Sequence, residues 1–259
     1  MKTGVVVLAH RPDASVVPVA EWYARRLSER GHKDVRVAYH SGEPNVRDVI
    51  AGMNVHGENN TFVILPLLVA EGDLSTWAMP KNIGMPDNSC SYTYLTGTHI
   101  AIRFATTFGR INALSETLLK RLREAGAGRD DGVLLVARGS RLSMCEAAAD
   151  KHAWYISEHG FPKVSYALLN HGGPSVESAV RDLEGKGASR IVVLPMFLYE
   201  GESVVRRIPE AVGSSRPGVP VVYAKCLGAD DLLLDDMDRK IPEGWRGPGR
   251  APRKGFRTP

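Results

Sequence analysis

The sequence predicts an α/β protein made of two tandem domains, each built on a parallel β-sheet. Two stretches, Phe62–Pro80 and Ile191–Pro209, share one order: an apolar strand containing a proline, an acid-glycine-acid turn, a short segment and a closing proline. The offset from Gly72 to Gly201, the glycines of the two turns, equals the offset between the closing prolines. Apolar runs rich in valine and isoleucine are typical of strands buried on both faces of a parallel sheet. We therefore expect one α/β unit to occur twice.

In the first half, strands alternate with amphipathic helices. The predicted elements are the strands Val5–His10, Val35–His40, Phe62–Ala70 and His99–Phe108 and the helices Val16–Arg30, Asn45–Met53 and Asn112–Ala125. This alternation implies right-handed crossovers and a parallel sheet. Between Lys81 and Thr98 the periodicity lapses, and glycine, proline, asparagine, serine and threonine dominate. This composition predicts a long loop, of a kind that is often functional.

The second half repeats the order. The predicted elements are the strands Val133–Ala137, Val164–Asn170, Ile191–Tyr199 and Val219–Cys226 and the helices Met144–His159, Ser175–Gly187, Ser203–Val212 and Asp230–Arg239. Pro44 and Pro174, in the turns after the second strand of each half, are separated by nearly the same offset as the paired glycines. We expect domains at residues 1–126 and 127–240, which face each other across a pseudo-twofold cleft. Residues 241–259 are basic and rich in glycine and proline, which predicts a disordered tail.

Composition excludes several classes of protein. The 259 residues carry a net charge of +4, but Arg239–Pro259 holds seven Lys or Arg residues against one acid, so the rest of the chain is at −2. A nucleic-acid-binding body is therefore not expected. Three widely spaced cysteines without a CxxC motif indicate a reducing compartment and no disulfide framework. No apolar run approaches ~20 residues, so we expect a cytoplasmic protein without a membrane span.

The candidate site lies at the carboxyl ends of the predicted strands, where open parallel sheets bind ligands. The residues at these ends are His10, His40, Glu71, Asp73, Arg138, Gly139, Ser140, Arg141, Asn170, His171, Glu200 and Glu202. Imidazole and carboxylate groups hold divalent transition metals or accept protons. The chain has no HExxH, Walker A, GxGxxG or Gly-x-Ser-x-Gly motif, so a serine hydrolase or a classical nucleotide site is not expected.

Several motifs resemble one known family. They are the Leu-Ala-His sequence that ends the first predicted strand at His10, the VARGSR run ending at Arg141, VVLPMFLYEG in the second half, and Pro174-Ser175. Together they resemble the class II chelatases in their tandem-repeat form, which include sirohydrochlorin cobaltochelatases, nickelochelatases and ferrochelatases. The resemblance covers about Val5–Cys226. It implies two small flavodoxin-like domains, with a carboxylate-rich isobacteriochlorin in the cleft and no organic cofactor.

The resemblance also implies two histidines that bind the incoming metal and take the pyrrole protons. The first matches His10, whereas Arg138 takes its place in the second half. The second histidine is replaced by Leu74 and Ser203. We therefore assign His10 both a catalytic role and a metal-binding role, and we look to the acid-glycine-acid turns for the missing groups. Glu71 and Glu200 are the catalytic candidates, and Asp73 and Glu202 are the further metal candidates.

The substrate would be held by cationic and hydroxyl side chains. Arginine pairs with carboxylates, bidentately where the geometry allows. The predicted substrate-binding residues are Arg138, Ser140 and Arg141 in the second half and Asn88, Ser89, Ser91 and Thr93 in the polar loop. The alternative for each acid is a solvated turn residue, and for His10 a hydrogen-bonded structural histidine. His40 and His171 do not occupy equivalent repeat positions, because their offset differs from that of the neighbouring prolines, and neither is assigned to the site.

The resulting functional hypothesis is insertion of Co²⁺ or Ni²⁺, less favourably Fe²⁺, into sirohydrochlorin. The partners expected are the small tetrapyrrole and the divalent metal as a substrate, with no nucleic acid and no membrane, in a monomer or homodimer. The absence of the second histidine favours an alternative: a non-catalytic tetrapyrrole- or metal-binding carrier or regulator derived from a chelatase.

Overall fold

A computed structural model describes residues 3–53, 61–95 and 98–243. The first half forms a mixed sheet with the strand order β2-β1-β3-β5-β4. Its strands are β1 (Thr3–Ala9), β2 (Val35–Tyr39), β3 (Thr61–Pro66), β4 (Cys90–Leu95) and β5 (Thr98–Phe104). Its helices are α1 (Val16–Glu29), α2 (Val46–Met53), α3 (Met79–Asn82) and α4 (Asn112–Glu124).

The second half forms a parallel sheet with the strand order β7-β6-β8-β9. Its strands are β6 (Gly132–Ala137), β7 (Val164–Leu168), β8 (Ile191–Pro195) and β9 (Val221–Tyr223). Its helices are α5 (Met144–Glu158), α6 (Val176–Gly185), α7 (Ile208–Ser214) and α8 (Asp231–Arg239). In both sheets the first strand of the half lies between the second and the third. The α/β class and the repeated parallel unit are thus confirmed.

The polar segment that was predicted to be one long loop is partly regular. Cys90–Leu95 is an edge strand antiparallel to β5, with Cys90 opposite Arg103 and Leu95 opposite Thr98. Lys81 and Asn82 belong to α3. The loop prediction was wrong here because it weighed polarity alone, whereas the Ser-Tyr-Thr-Tyr run consists largely of residue types that favour strands.

The two key strands end earlier than predicted. The prediction ran to Ala70 and Tyr199, but β3 ends at Pro66 and β8 at Pro195. Proline has no N–H to donate to the ladder, which explains why both strands stop there. The predicted helix over Ser203–Val212 is a π-helical turn (Ser203–Arg207) followed by α7, and its counterpart in the first half is a π-helical turn at Leu74–Ala78.

One hydrophobic core joins the two halves. Val5 and Val7 of β1 and Val133 and Leu135 of β6 belong to a single buried cluster. Helices α1, α4, α5 and α8 contribute to this shared core, so they form a layer between the sheets. The outer faces of the sheets pack against α2 and α3 in the first half and against α6 and α7 in the second. The boundary between residues 126 and 127 stays a prediction.

Two basic side chains tie the last helix of each half to the other half. Arg121, in α4, donates to the carbonyl oxygens of Cys226 and Leu227 at 2.9 and 2.6 Å. Lys240, just after α8, donates to the carbonyl oxygens of Thr106 and Thr107 at 2.9 and 3.2 Å. The charge count grouped Lys240 with the basic tail, but its side chain is only 14% exposed. It belongs to the folded body.

The predicted tail falls largely outside the described residues, because the structure describes only residues 241–243 of it. Across residues 3–53, 61–95 and 98–243, none of the helices combines the length and the apolar character that crossing a membrane requires.

Candidate functional site

The carboxyl ends of the two sheets meet, and each half contributes a turn to the other. A methyl group built on Gly72 would lie 3.0 Å from the Ser140 hydroxyl oxygen, and one built on Gly201 would lie 3.8 Å from that of Ser15. The acid-glycine-acid turn of each half therefore lies against the turn that follows the first strand of the opposite half. Glycine permits this approach at Gly72, where any larger residue would displace Ser140.

His10 lies beside His40 at this edge. Ala9 pairs with Tyr39 in the parallel ladder, and the pairing continues one residue further, since the His40 N–H donates to the Ala9 carbonyl at 2.9 Å. Residues in register on neighbouring strands point to the same face of a sheet. The two imidazole centroids lie 6.0 Å apart, with 20° between the ring planes.

Sequence reasoning did not assign His40 to the site. The available signal was the register of the first two strands, because aligning their ends places His10 next to His40. The offset between His40 and His171 concerns only whether the two halves match. It does not indicate which residue lies beside His40 within the first half.

Both imidazoles are held in the neutral form. Burial lowers the pKa of His10, and the charges of Arg138, His40 and Arg11 lower that pKa further. Burial also lowers the pKa of His40. Because both pKa values fall below the ordinary value of about 6.5, both rings carry a free nitrogen lone pair at neutral pH. Each can accept a proton or bind a metal ion.

Arg138 follows β6 as His10 follows β1, and it lies close enough to affect the pKa of His10. Arg138 and Arg141 are both exposed, and the Ser140 hydroxyl accepts a hydrogen bond from the Leu142 N–H at 3.2 Å. The predicted substrate-binding turn of the second half thus faces the predicted catalytic histidine of the first. Their roles stay predictions.

The predicted residues of the polar segment lie elsewhere. Strand β4 is the far edge of the first sheet, three strand spacings from β1, or about 14 Å. The Thr93 side chain is buried, and its hydroxyl donates to the carbonyl oxygens of Ile83 and Gly84 at 3.3 and 3.1 Å. Ser91 lies within the same strand, opposite Ile102. The structure does not bring Thr93 and Ser91 next to His10.

Asn88 and Ser89 precede β4 at the carboxyl edge of the first sheet. The Ser89 carbonyl accepts from the Phe104 N–H at 3.3 Å, and the Ser89 N–H donates to the Asp87 carboxylate at 2.9 Å. They lie at the correct edge, but on the same distant side of the sheet as β4.

The four acids have different surroundings. The Glu71 carboxylate is only 12% exposed and lies 3.3 Å from the Arg110 guanidinium. Glu202 is exposed and forms an ion pair with Arg206, which lowers the pKa of this carboxyl. Asp73 and Glu200 are also exposed. Within the described residues, no group of three or more His, Cys, Asp or Glu side chains could hold a metal ion, so His10, Asp73 and Glu202 do not form one ligand set.

A cavity of about 720 Å³ lies between the halves next to this edge. Ser15 and Val19 line it from the first half, and Tyr199, Glu200 and Lys225 line it from the second. It is an open groove rather than an enclosed pocket, and His10 is not among the residues that line it. Tyr199 is a residue that sequence reasoning missed: burial raises the pKa of its hydroxyl, and Asp13, Arg138 and Arg11 lie close enough to influence that pKa.

Leu74 and Ser203 stand where the resemblance to the chelatases implies a second histidine. Leu74 packs against the apolar cluster on the outer face of the first sheet, and Ser203 begins the second π-helical turn. Leu74 follows β3, and β3 and β2 lie on opposite sides of β1 in the sheet. Neither position therefore supplies an imidazole.

Comparison with known proteins gives a direct family match. The CbiX family model matches residues 4–125 and again residues 132–243. The chain belongs to the CbiX family. This result confirms the family resemblance, and the two matches correspond to the two sheets.

Individual relatives agree with this membership. A sirohydrochlorin cobaltochelatase of Saccharolobus islandicus is 35% identical over 123 residues, which are 44% of this chain and 95% of the relative. Among solved structures, SirB from Bacillus subtilis with Fe³⁺ superposes with a TM-score of 0.74 at 15% identity and covers 93% of this chain and 94% of SirB. DR2241 from Deinococcus radiodurans superposes at 0.73 with 18% identity, and the match spans 95% of this chain but 56% of DR2241. Both structural likenesses concern the fold.

Proposed function

We propose that this CbiX-family chain inserts a divalent metal ion into a carboxylate-rich tetrapyrrole of the sirohydrochlorin class. The observation that carries the proposal is the junction of the two sheets, where neutral His10 meets the arginine turn of the opposite half. The name of the cobaltochelatase relative supports the same reaction. Co²⁺ and Ni²⁺ are the metals that we favour, with Fe²⁺ after them.

Metallation needs a base and anchors for an anionic ring. Two pyrrole N–H bonds break as the ion binds to the ring nitrogens, and the two protons must leave. His10 can accept a proton because burial and neighbouring positive charge keep its imidazole neutral. Glu71 and Glu200 are our candidates for passing the protons to solvent. Arg138 and Arg141 are exposed beside the junction and can pair with substrate carboxylates.

The alternative is a carrier or regulator that binds the tetrapyrrole or the metal without catalysis. The observation in its favour is that Leu74 and Ser203 replace the family's second histidine in both halves. Under either function, we propose that the protein works in the cytoplasm, as a monomer or a homodimer, without an organic cofactor.

An absorbance assay tests the proposal. Purified protein is mixed anaerobically with sirohydrochlorin and with Co²⁺, Ni²⁺ or Fe²⁺ in turn, and metallation is followed against a protein-free control. We expect acceleration for at least one metal and its loss in His10→Ala. A spectrum of bound macrocycle with no acceleration for any metal would overturn the enzymatic function and leave the carrier.

A further inference from the structure

We propose that His40 completes, together with His10, a two-histidine site that receives the divalent ion before its insertion. This inference deepens the proposed function and rests on it. The two residues follow neighbouring strands in register, and the backbone pairing of β1 and β2 extends to them, since the Ser41 N–H donates to the His10 carbonyl at 2.8 Å. Their positions are therefore fixed by the sheet itself rather than by a free loop.

The separation of the rings fits a shared ion. An imidazole nitrogen binds a first-row divalent metal at about 2.0–2.1 Å, so each ring centroid lies roughly 3 Å from the ion, and two rings on one ion have centroids about 5–6 Å apart. The centroids of His10 and His40 lie 6.0 Å apart. This separation leaves room for one ion bound by one nitrogen of each ring.

The side chain of Asn82 contacts both the backbone and the imidazole of His40. Its side-chain nitrogen donates to the His40 carbonyl at 3.0 Å and lies 3.4 Å from the imidazole Nδ1. Asn82 ends α3, which packs on the same outer face of the first sheet. The bond to the backbone carbonyl fixes the position of His40 at the end of β2, in addition to the ladder hydrogen bonds.

The site suits an ion that must be handed on. No third His, Cys, Asp or Glu side chain joins the two imidazoles within residues 3–53, 61–95 and 98–243, so the remaining coordination positions are open to water or to macrocycle nitrogens. Arg138 and Arg11 also lie close enough to His10 to lower its pKa, and the same positive charge opposes a tightly held cation. We therefore expect modest affinity, followed by transfer of the ion.

Co²⁺ binding by the full-length chain tests the site without any macrocycle. The Co²⁺ absorption bands or the heat of titration give the affinity for the unaltered chain, His10→Ala, His40→Ala, His40→Gln and the double alanine variant. His171→Ala is the control, because His171 is an exposed histidine in the turn after β7 and lies outside the ladder position that His40 occupies beside His10. Circular dichroism establishes that each variant is folded, and His40→Gln keeps a polar side chain beside Asn82.

We expect His10→Ala and His40→Ala each to weaken Co²⁺ binding by about 10- to 100-fold or more. Because both rings would share one ion, the double variant should lose little beyond the larger single loss. His171→Ala should bind Co²⁺ as the unaltered chain does. Unchanged Co²⁺ affinity in folded His40→Ala and His40→Gln would overturn the proposal. So would a double variant whose loss of binding free energy equals the sum of the two single losses.

The same variants in the sirohydrochlorin assay separate this inference from the proposed function. Slower metallation in His40→Ala, together with weaker Co²⁺ binding, supports both. Metallation that survives in His40→Ala at unchanged Co²⁺ affinity overturns the histidine pair alone. Co²⁺ binding that depends on both histidines, without metallation of any macrocycle, supports the pair and overturns the enzymatic function.

Discussion

His152 connects the two halves through hydrogen bonds in a fully buried position. Its Nε2 and the Gly109 carbonyl lie 3.0 Å apart, and its Nδ1 and the Ser115 hydroxyl lie 2.7 Å apart. A neutral ring satisfies both partners, donating to the carbonyl and accepting from the hydroxyl. Burial lowers the pKa of His152 to about 4. Protonation of His152 would place a positive charge in the buried interface between the two halves.

The stability of the fold should therefore depend on His152 at mildly acidic pH. In the unfolded chain the pKa is about 6.5, so between pH 6.5 and pH 4 the unfolded state binds more protons than the folded state. The free energy of unfolding should fall by roughly 3 kcal/mol across this window as the pH is lowered. Urea unfolding at several pH values measures this fall. His152→Gln should show a flatter dependence, and an equally steep one would contradict the prediction.

A second residue-scale prediction concerns the pH dependence of the proposed activity. Burial and then Arg138 lower the pKa of His10, so the acid limb of the metallation rate should lie below pH 6.5. Removing the positive charge in Arg138→Gln should raise that pKa and move the limb to higher pH. The measurement is kcat against pH at saturating sirohydrochlorin. Arg141→Gln serves as the control. An acid limb at the same pH in both variants would exclude this influence of Arg138.

Single residues also show how far the site could be predicted from the sequence. His10 and Arg138 could be placed because each ends the first strand of its half, and this position can be read from the apolar pattern. His40 could not be assigned, since its role depends on which residue lies beside it across the ladder. The placement of Thr93 away from His10 could not be predicted either, since a polar side chain in an edge strand can donate its hydroxyl to nearby backbone carbonyls.

At the scale of elements, the acid-glycine-acid turns lead into equivalent structures. The π-helical turns Leu74–Ala78 and Ser203–Arg207 are related by the same offset along the chain as the glycines that precede them. The repeat was visible in the sequence, but the π-helical geometry was not. Such turns occur frequently at functional sites. Here they adjoin the junction of the two sheets.

The turn after β6 gives a prediction at the same scale. Gly139 has a φ of +78°, and a methyl group built on it would lie 2.6 Å from the His171 carbonyl oxygen. Gly139→Ala should therefore lower the free energy of unfolding by about 1–3 kcal/mol and displace Arg138 from His10. The measurements are urea unfolding and the rate of metallation.

Gly213→Ala is the matched control for this turn. Gly213 lies in α7, and a methyl group built on it meets nothing within 4 Å. Because Gly213 lies in the last turn of α7, alanine there should leave the stability unchanged or raise it by up to about 0.5–1 kcal/mol, the figure for a helix interior. Equal stability of the two variants would show that the close packing of Gly139 against His171 does not constrain the turn.

At the scale of the whole molecule, the halves resemble each other but share their interior. Leu118 and Leu119 of α4 and Leu233 and Leu234 of α8 are fully buried in the core that joins the sheets. Sequence periodicity predicts which residues of a helix are apolar, but not which sheet they cover. Two facing domains could therefore be predicted, whereas the layer of helices that they hold in common could not.

The last prediction concerns the independence of the two halves. Separate chains of residues 1–126 and 127–259 would each expose the apolar side chains that pack in the shared core, and each would lose the carbonyl contacts made by Arg121 or Lys240. Burial of apolar surface supplies most of the favourable free energy of folding, so we expect neither half to unfold cooperatively as a monomer. Sedimentation and urea unfolding test each half alone and both halves together. Coexpressed halves should form a stable one-to-one complex, and a monomeric 1–126 with cooperative unfolding would establish it as an independent domain.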